Sequence, residues 1–198
     1  IMGLTLTDIY GAGGGKHQRL TRARGETVIT AMKFSTCDED FPFRVGDVVD
    51  IAVTLDKSTY RGRDSLTLIV RDIRLSETHF DELNRGKQLF EKMMRGEPLS
   101  DEEIIELSPT RSILGTVYRA VSDGYRGESE VLGCRMKRKG VGFAALLTSL
   151  QILSEGGLLH VSNDGFVLCV KAADRGEQAG KISPENTPSA VRVGYKNV

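Results

Sequence analysis

The stretch DVVDIAVTL at residues 47–55, followed by SLTLIVRDIRL at residues 65–75, decides the fold of the first part of the chain. Apolar and polar residues alternate along both runs, which is the pattern of β-strands that bury one face. Three shorter runs of the same kind precede them, at residues 4–10, 16–24 and 27–34. Five short strands with a longer break between the third and the fourth are typical of a five-stranded barrel.

We therefore predict an OB-type β-barrel over residues 1–76. In such barrels, the loops between strands one and two and between strands four and five bind oligonucleotides. The first loop is here the glycine run at residues 11–15, and the second is a polar hairpin loop at residues 56–64. We expect both loops at one end of the barrel.

The rest of the chain is predicted to be mainly helical. An acidic helical linker covers residues 77–107, and residues 100–103 form a capping box within it. Residues 108–175 contain three helical patterns and a hairpin around the turn at residues 162–165, which together predict a small winged-helix-like α/β domain. Residues 176–198 have no clear period and are predicted to be a C-terminal surface extension.

The overall composition is that of an ordinary globular protein, in which 27 Lys and Arg balance 27 Asp and Glu among 198 residues. The charge is unevenly spread, because residues 76–110 hold four basic and nine acidic residues and residues 111–198 hold twelve and eight. A neutral total does not exclude nucleic-acid binding, since local patches set the field at a groove.

The sequence predicts a cytoplasmic protein without a membrane partner. It has no apolar run long enough to span a bilayer, and its start lacks a secretory signal. Cys37, Cys134 and Cys169 are widely spaced without a CxxC pair, which argues against a disulfide framework and a zinc site. Because the chain begins with Ile1, we interpret it as part of a longer protein, or as carrying a tag remnant.

No catalytic centre, metal site or cofactor is expected in this chain. The glycine run ending at Lys16 lacks the Ser or Thr that follows the lysine of a P-loop, and Lys16 stands where a dinucleotide-binding motif needs its third glycine. His17, His79 and His160 lie far apart, and none has ligand spacing to another His or to Cys. No Ser or Cys nucleophile motif is present.

The polar hairpin loop carries an aromatic residue flanked by cations, a combination suited to single-strand binding. The ring can stack on a base while a guanidinium contacts a phosphate. A solvated hairpin tip is the alternative, because polar basic hairpins are common. The predicted binding residues of the two loops are Lys16, Lys57, Tyr60, Arg61 and Arg63.

The second strand adds further cations to this predicted surface. If Leu20 points into the barrel, His17 and Arg19 face outwards, because successive strand residues alternate between faces. We expect Lys33 of the next strand to join them on that outer face. The alternative is that these residues form ordinary strand surface.

A basic run, formed by Arg135, Lys137, Arg138 and Lys139, precedes the third helix of the winged-helix-like domain. Three interpretations are open for it: a DNA phosphate contact near a recognition helix, docking of an acidic protein tail, or a solvated turn. The third helix itself is mostly apolar, a composition poorly suited to reading base edges.

Several of these motifs together resemble the OB domain of RecJ, the bacterial single-strand-specific exonuclease of the DHH phosphoesterase superfamily. The helical and winged part resembles the C-terminal domain of RecJ from Gram-positive bacteria, so the resemblance covers essentially the whole chain. The stretches that carry it in the OB part are GKHQRL at 15–20, the run at 27–34, VGDVVD at 45–50, YRG at 60–62 and LIVRDIR at 68–74.

The resemblance implies the non-catalytic C-terminal part of a 5′–3′ DNA exonuclease that acts in DNA repair and recombination. The parent enzyme would use manganese or magnesium, held by Asp and His clusters in catalytic domains that this chain lacks. Implied partners are single-stranded DNA, the catalytic domains of the same parent chain and the single-strand binding protein. The resemblance transfers DNA contacts to Lys16, His17, Tyr60, Arg61 and Arg63, although many relatives would carry Trp at position 60. The alternative is a protein–protein interaction module without direct nucleic-acid binding.

Overall fold

The computed structural model describes residues 1–25, 27–37, 41–60, 63–163, 167–173 and 184–195, with the backbone alone for residues 24, 58–60 and 63–65. The chain divides into two compact units, Ile1–Thr78 and His79–Val198, which we call the barrel unit and the helical unit. None of the helices in the described ranges has the length and apolar composition needed to cross a lipid bilayer.

Five strands form the barrel unit, and they close in the order β1-β2-β3-β5-β4. β3 and β5 are parallel, whereas the other neighbouring pairs are antiparallel. This closed barrel fits an OB fold, as the strand pattern predicts. The strands are β1 (Leu4–Ala12), β2 (His17–Arg24), β3 (Thr27–Lys33), β4 (Val48–Tyr60) and β5 (Arg63–Leu75).

The barrel interior is filled mainly by aliphatic side chains, because alternate residues of each strand point inwards. A β-bulge between Leu6 and Asp8 breaks this alternation in β1, so that Tyr10 faces outwards instead of sharing the inward face of Leu6. The buried aliphatic side chains are Leu4, Leu6, Leu20, Ala31, Val49, Ile51, Val70, Ile73 and Leu75.

The segment predicted as a polar hairpin loop, residues 56–64, is mostly β-strand in the structure. β4 and β5 stay paired from Asp56 opposite Thr67 to Tyr60 opposite Arg63, so the two strands form one long ribbon. Main-chain hydrogen bonds hold such a ribbon whatever the polarity of its side chains, and the polar composition therefore misled the prediction. Because β4 runs antiparallel to β1, the ribbon tip and the glycine loop lie at opposite ends of the strands, not at one end.

The helical unit contains six α-helices and a three-stranded sheet in the order β6-β8-β7 among its described residues. Its elements are α1 (Phe80–Met94), α2 (Asp101–Leu107), α3 (Arg111–Val121), β6 (Tyr125–Gly127), α4 (Ser129–Lys137), α5 (Phe143–Glu155), β7 (Leu159–Asn163), β8 (Leu168–Ala172), a 3-10 turn (Pro184–Asn186) and α6 (Pro188–Arg192). The predicted capping box at Ser100 and Glu103 and the predicted β7–β8 hairpin are both confirmed.

One core joins all parts of the helical unit around α5. α1 and α2, which belong to the predicted linker, contribute Leu89 and Leu107 to this core. The predicted surface extension contributes Val193 and Tyr195, because residues 184–195 fold back onto the other helices. The side chain of Arg192 donates from Nη1 to the carbonyl oxygens of Met93 and Met94, at 3.0 and 3.1 Å, at the end of α1.

α5 is buried on most of its surface. The hydroxyls of Thr148 and Ser149 are buried and donate to carbonyl oxygens of the same helix, Ala144 O and Ala145 O. α1 covers α5 near its start, where a Cβ built on Gly86 would lie 2.9 Å from the backbone nitrogen of Ala144. A recognition helix needs one face open to the DNA groove, so the structure does not confirm a DNA-reading winged helix.

Candidate nucleic-acid interface

A row of residues crosses all five strands on the outer face of the barrel. The fully buried Leu20 points inwards, so its neighbour Arg19 points outwards, and the predicted orientation of β2 is confirmed. Cross-strand partners share a face, which extends this outward orientation to the neighbouring strands. The row consists of Tyr10, Arg19, Met32, Ile69 and Thr54, each paired with the next.

Tyr10 and Arg19 are the exposed aromatic and cationic members of this row. The Tyr10 side chain is 65% exposed, and Arg19 on the adjacent strand is also exposed. Within the described part of the chain, no hydrogen bond, ion pair or ring contact engages either side chain. Both groups are therefore available to a ligand.

His17 and Phe34 form a second aromatic group beside this pair. Their ring centroids are 5.1 Å apart and the ring planes meet at 71°, an edge-on arrangement. The backbone N–H of Ser35 donates to His17 Nδ1 at 3.1 Å, so the hydrogen of the neutral imidazole lies on Nε2. A Cβ built on Gly13 would lie 3.0 Å from His17 Cδ2, so the glycine loop packs closely against the imidazole.

The glycine loop places a cation at the edge of this group. Gly13, Gly14 and Gly15 have φ values of 60°, 69° and 83°, a left-handed conformation that glycine adopts without steric cost. Lys16 follows directly and is exposed. The structure therefore brings together three predicted residues, Lys16, His17 and Arg19, at the same end of β2.

The other half of the outer face has a different chemistry. Asp8 pairs with Thr21, and Thr21 pairs with Thr30, one step further along the strands. Asp56 pairs with Thr67 on the β4–β5 ribbon. The outer face of β1 and β2 is thus cationic and aromatic towards the glycine loop, and Asp8 and Asp56 make the other end acidic. On β5, the exposed Asp72 adds an acid on the glycine-loop side, so the surface for an anionic ligand is limited to the first three strands.

Lys33 does not share the outer face with His17 and Arg19, contrary to the prediction. The register pairs Lys33 with Gln18, whose side chain is buried inside the barrel. Lys33 lies at the end of its strand, and its Nζ donates to the carbonyl oxygen of Arg71 at 3.1 Å. This hydrogen bond joins the end of β3 to Arg71 of β5, where the β4–β5 register shifts.

The remaining residues predicted in the hairpin lie on the β4–β5 ribbon or at its tip. Lys57 is exposed and pairs with Leu66. Tyr60 and Arg63 face each other as the last described strand pair, and their side chains are outside the described residues. Arg61 lies wholly outside them. The predicted DNA contacts of Tyr60, Arg61 and Arg63 therefore stay predictions.

Arg22 is a buried cation inside the barrel. Its side chain is 0% exposed, and its three guanidinium nitrogens have no hydrogen-bond partner among the described residues. Burial lowers the pKa of this guanidinium to about 10, because a low-dielectric surrounding disfavours the charged form. This charge lies beneath the outer face and does not contribute to a surface contact.

The basic run of the helical unit is only partly available to a partner. Lys137 forms an ion pair with Glu82 of α1, and the hydrogen bond from Lys137 holds the pKa of Glu82 below its usual range. Arg135 is partly buried, whereas Arg138 and Lys139 are exposed at the end of α4. The run therefore helps to join α1 to α4 as well as presenting positive charge.

Carboxylate, imidazole and thiol side chains form no metal-holding group in the part of the chain that the structure describes. In the described ranges, no three His, Cys, Asp or Glu residues stand close enough to hold an ion. His17 makes its Nδ1 contact to Ser35, and His79 precedes α1 without a side-chain cap bond.

Sequence reasoning missed Tyr10 and Phe34. In an uninterrupted strand, Tyr10 would share the inward face of Leu4 and Leu6, and only the bulge turns it outwards. Phe34 follows the last residue of β3, where strand alternation no longer determines its direction. A short polar interruption at Thr7 and Asp8, followed by Ile9, was the available sign that the register changes there.

A comparison with protein families finds a match for the barrel unit. Residues 2–72 match the family model described as the RecJ OB domain. The match spans the glycine loop, the outer-face row and most of β5. No curated protein was found to match the chain. The barrel unit is therefore a RecJ-like OB domain.

Proposed function

We propose that the chain is the non-catalytic C-terminal part of a RecJ-like 5′–3′ DNA exonuclease, and that its barrel unit binds single-stranded DNA. The observation that carries the proposal is Arg19, whose side chain has no hydrogen bond or ion pair among the described residues. It lies beside the exposed Tyr10 on the outer face of a barrel that matches the RecJ OB domain. The chemistry of strand cleavage, with manganese or magnesium, then belongs to other domains of the parent enzyme.

The cationic end of the outer face supplies the two contacts that single strands need. Arg19 and Lys16 attract phosphates, and the released counterions favour binding. Tyr10 offers a ring to an unpaired base, which a duplex keeps inside its stack. The acidic end of the face, at Asp8 and Asp56, repels the backbone and directs the strand towards the glycine loop.

The helical unit is proposed to dock partners rather than to read DNA sequence. The order α3-β6-α4-α5-β7-β8 and the sheet order β6-β8-β7 support a winged-helix relationship. The helix that would enter the major groove is α5, which α1 covers. The exposed Arg138 and Lys139 would instead meet an acidic surface, such as one on the catalytic domains or on the single-strand binding protein.

A second candidate function is a protein-interaction module, and the β4–β5 ribbon favours it. Leu55 and Leu66 lie on one face of the ribbon and are 68% and 72% exposed. Their neighbours on the same face, Val70 and Leu68, become progressively less buried towards the ribbon tip. An apolar ribbon face of this kind suits contact with another protein surface.

Fluorescence anisotropy with a labelled single-stranded oligonucleotide tests the proposal on the whole chain. Arg19→Ala should weaken binding about tenfold, the effect of losing one charge-assisted hydrogen bond. It should also reduce the slope of log affinity against log salt by about one. Arg44→Ala is the matched control, because Arg44 is an exposed cation in the turn before β4, outside the row.

Two results would count against DNA binding. The first is no change in anisotropy with the wild-type chain at low salt and high protein concentration. The second is equal weakening by Arg19→Ala and Arg44→Ala, which would indicate attraction by overall charge rather than by the outer face. Either result would favour the protein-interaction module.

A further inference from the structure

We propose that Tyr10 and Phe34 are stacking platforms for two bases of a stretched single strand, each ring held beside a donor from β2. The inference rests on the proposed function and specifies what the barrel binds: unpaired bases, not only phosphates. Arg19 serves the Tyr10 platform, and His17 serves the Phe34 platform.

The β1 bulge creates the first platform. Without the register shift between Leu6 and Asp8, the Tyr10 ring would fall in the barrel interior. With it, the ring stands opposite Arg19, more than half of its surface is exposed, and no ring contact, hydrogen bond or ion pair among the described residues engages it. An aromatic ring next to a guanidinium offers a base one flat partner and its phosphate one cation.

The second platform is ordered before any ligand arrives. His17 contacts the Phe34 ring edge-on, and the Ser35 N–H fixes the imidazole through Nδ1. Gly13 also packs closely against the imidazole, yet Phe34 remains 45% exposed. Ordering the rings in advance reduces the entropy that binding would otherwise cost.

The spacing of the two platforms suits an extended strand. Tyr10 lies on β1 opposite Arg19, and Phe34 directly follows β3 and contacts His17, so the two rings belong to strands on opposite sides of β2. Two strand spacings of about 4.8 Å each, with an offset of about 7 Å between Arg19 and His17 along β2, place the two positions roughly 12 Å apart. This is several times the 3.4 Å rise per nucleotide of a stacked strand, so bases reach both platforms only when the strand is unstacked, which selects a single strand over a duplex.

The experiment compares the whole chain with three labelled ligands: an oligothymidylate, an abasic strand of the same length and a duplex. Wild type should bind the oligothymidylate at least tenfold more tightly than the abasic strand, because the abasic strand keeps the phosphates and lacks the rings. Tyr10→Ala and Phe34→Ala should each weaken oligothymidylate binding about tenfold and leave binding of the abasic strand unchanged.

Two control variants separate stacking from other effects. Tyr10→Phe keeps the ring and should retain wild-type affinity. Val28→Ala removes an exposed apolar side chain of β3 away from both platforms and should also bind as wild type does. Thermal melting of each variant establishes that the exposed substitutions leave the fold intact.

The outcomes distinguish this inference from the proposed function. If Tyr10→Ala and Phe34→Ala bind oligothymidylate as wild type does, while Arg19→Ala does not, the platforms are refuted and DNA binding stands. Equal affinity of wild type for the thymidylate and abasic strands would also refute the platforms. If wild type binds none of the three ligands, the proposed function itself fails.

Discussion

Glu155, the last residue of α5, accepts two hydrogen bonds from Ser189, one from the backbone N–H at 2.9 Å and one from Oγ at 2.8 Å. Ser189 lies in the first turn of α6, where a carboxylate also interacts favourably with the unpaired N–H groups. The pair therefore attaches the C-terminal segment to the central helix of the helical unit.

Glu155→Ala should lower the free energy of unfolding by about 1–3 kcal/mol, because it leaves the buried hydroxyl of Ser189 without this acceptor. Burial raises the pKa of Glu155, but the hydrogen bonds from Gln151 and Ser189 outweigh it, so the pKa lies below its usual value. The stabilisation is thus present above the unfolded-state pKa of about 4.3 and is lost as pH falls through the folded-state pKa. Denaturant titrations at pH 7 and pH 3 check this, and the loss should be smaller at the lower pH. Glu102→Ala, on the exposed side of α2, is the control and should cost a few tenths of a kcal/mol.

Close helix contacts predict that alanine substitutions at three glycines differ in their effect on the free energy of unfolding. Gly133→Ala should destabilise the chain by about 1–3 kcal/mol, because the new Cβ would lie 2.6 Å from the Phe143 ring. Gly86→Ala should be at least as costly, since its Cβ would meet the backbone of Ala144 at 2.9 Å, and backbone cannot move aside as a ring can. Gly115→Ala is the matched helix control, where the nearest atom belongs to the flexible side chain of Arg119. Gly115→Ala should be neutral or stabilising by up to about 1 kcal/mol. Thermal melting of the three variants measures these effects. Equal Tm values for all three would mean that the close helix contacts at Gly86 and Gly133 are wrong.

From the contacts of the Asp50 carboxylate, we expect acid to lower the stability of the barrel unit. The Ser76 hydroxyl donates to Asp50 at 2.6 Å, and together with Gly3 N–H and Arg74 it holds the pKa of Asp50 below its usual value despite its burial. Its stabilising contribution is complete above about pH 4 and declines as pH falls through the folded-state pKa. Ser76→Ala should raise the pKa of Asp50 and lower stability by about 1 kcal/mol. Carboxyl NMR titration measures the first effect, and an unchanged Asp50 pKa in the variant would contradict the assignment.

Arg22→Met should stabilise the barrel unit. A buried guanidinium without a partner among the described residues costs desolvation energy, and apolar replacements of buried charges are often neutral or stabilising by about 1–4 kcal/mol. Because burial lowers the folded-state pKa of Arg22 from its usual value to about 10, this cost is fully present below that pH and is relieved as the pH rises above it. Thermal melting at pH 8 should show the higher Tm for the variant. Arg19→Met, on the opposite face of the same strand, should show no such gain, and a lower Tm for Arg22→Met would mean that the guanidinium is paired in the folded protein.

Strand alternation was enough to predict the barrel and the outward direction of Arg19, because burial on one face imposes a strict period of two. The same rule failed wherever the backbone departs from it. The bulge in β1 turned Tyr10 outwards, and the β2–β3 register placed Lys33 opposite the inward-facing Gln18. Neither a bulge nor a register is encoded by side-chain polarity alone.

The helical unit shows a different limit of sequence reasoning. Three helical patterns were predicted between residues 108 and 175, where the structure has α3, α4 and α5. The five-residue helix α6 is too short to show a period, and its docking depends on distant partners such as Glu155 and the end of α1. The segment around Tyr195 was therefore predicted as surface, although long-range contacts bury it.

The parallel pairing of β3 with β5 has a consequence for the way this protein is synthesised. β1, β2 and β3 can form a meander as soon as they leave the ribosome. The second edge of β3 stays without a partner until Leu68 and Ile69 of β5 have been synthesised. Until β5 emerges, the hydrogen-bonding edge of β3 stays open, and open edges recruit strands from other chains. A nascent or truncated chain that ends before β5 should therefore be prone to self-association. Completion of the ribbon removes that hazard, because it turns an open sheet into a cylinder without free edges.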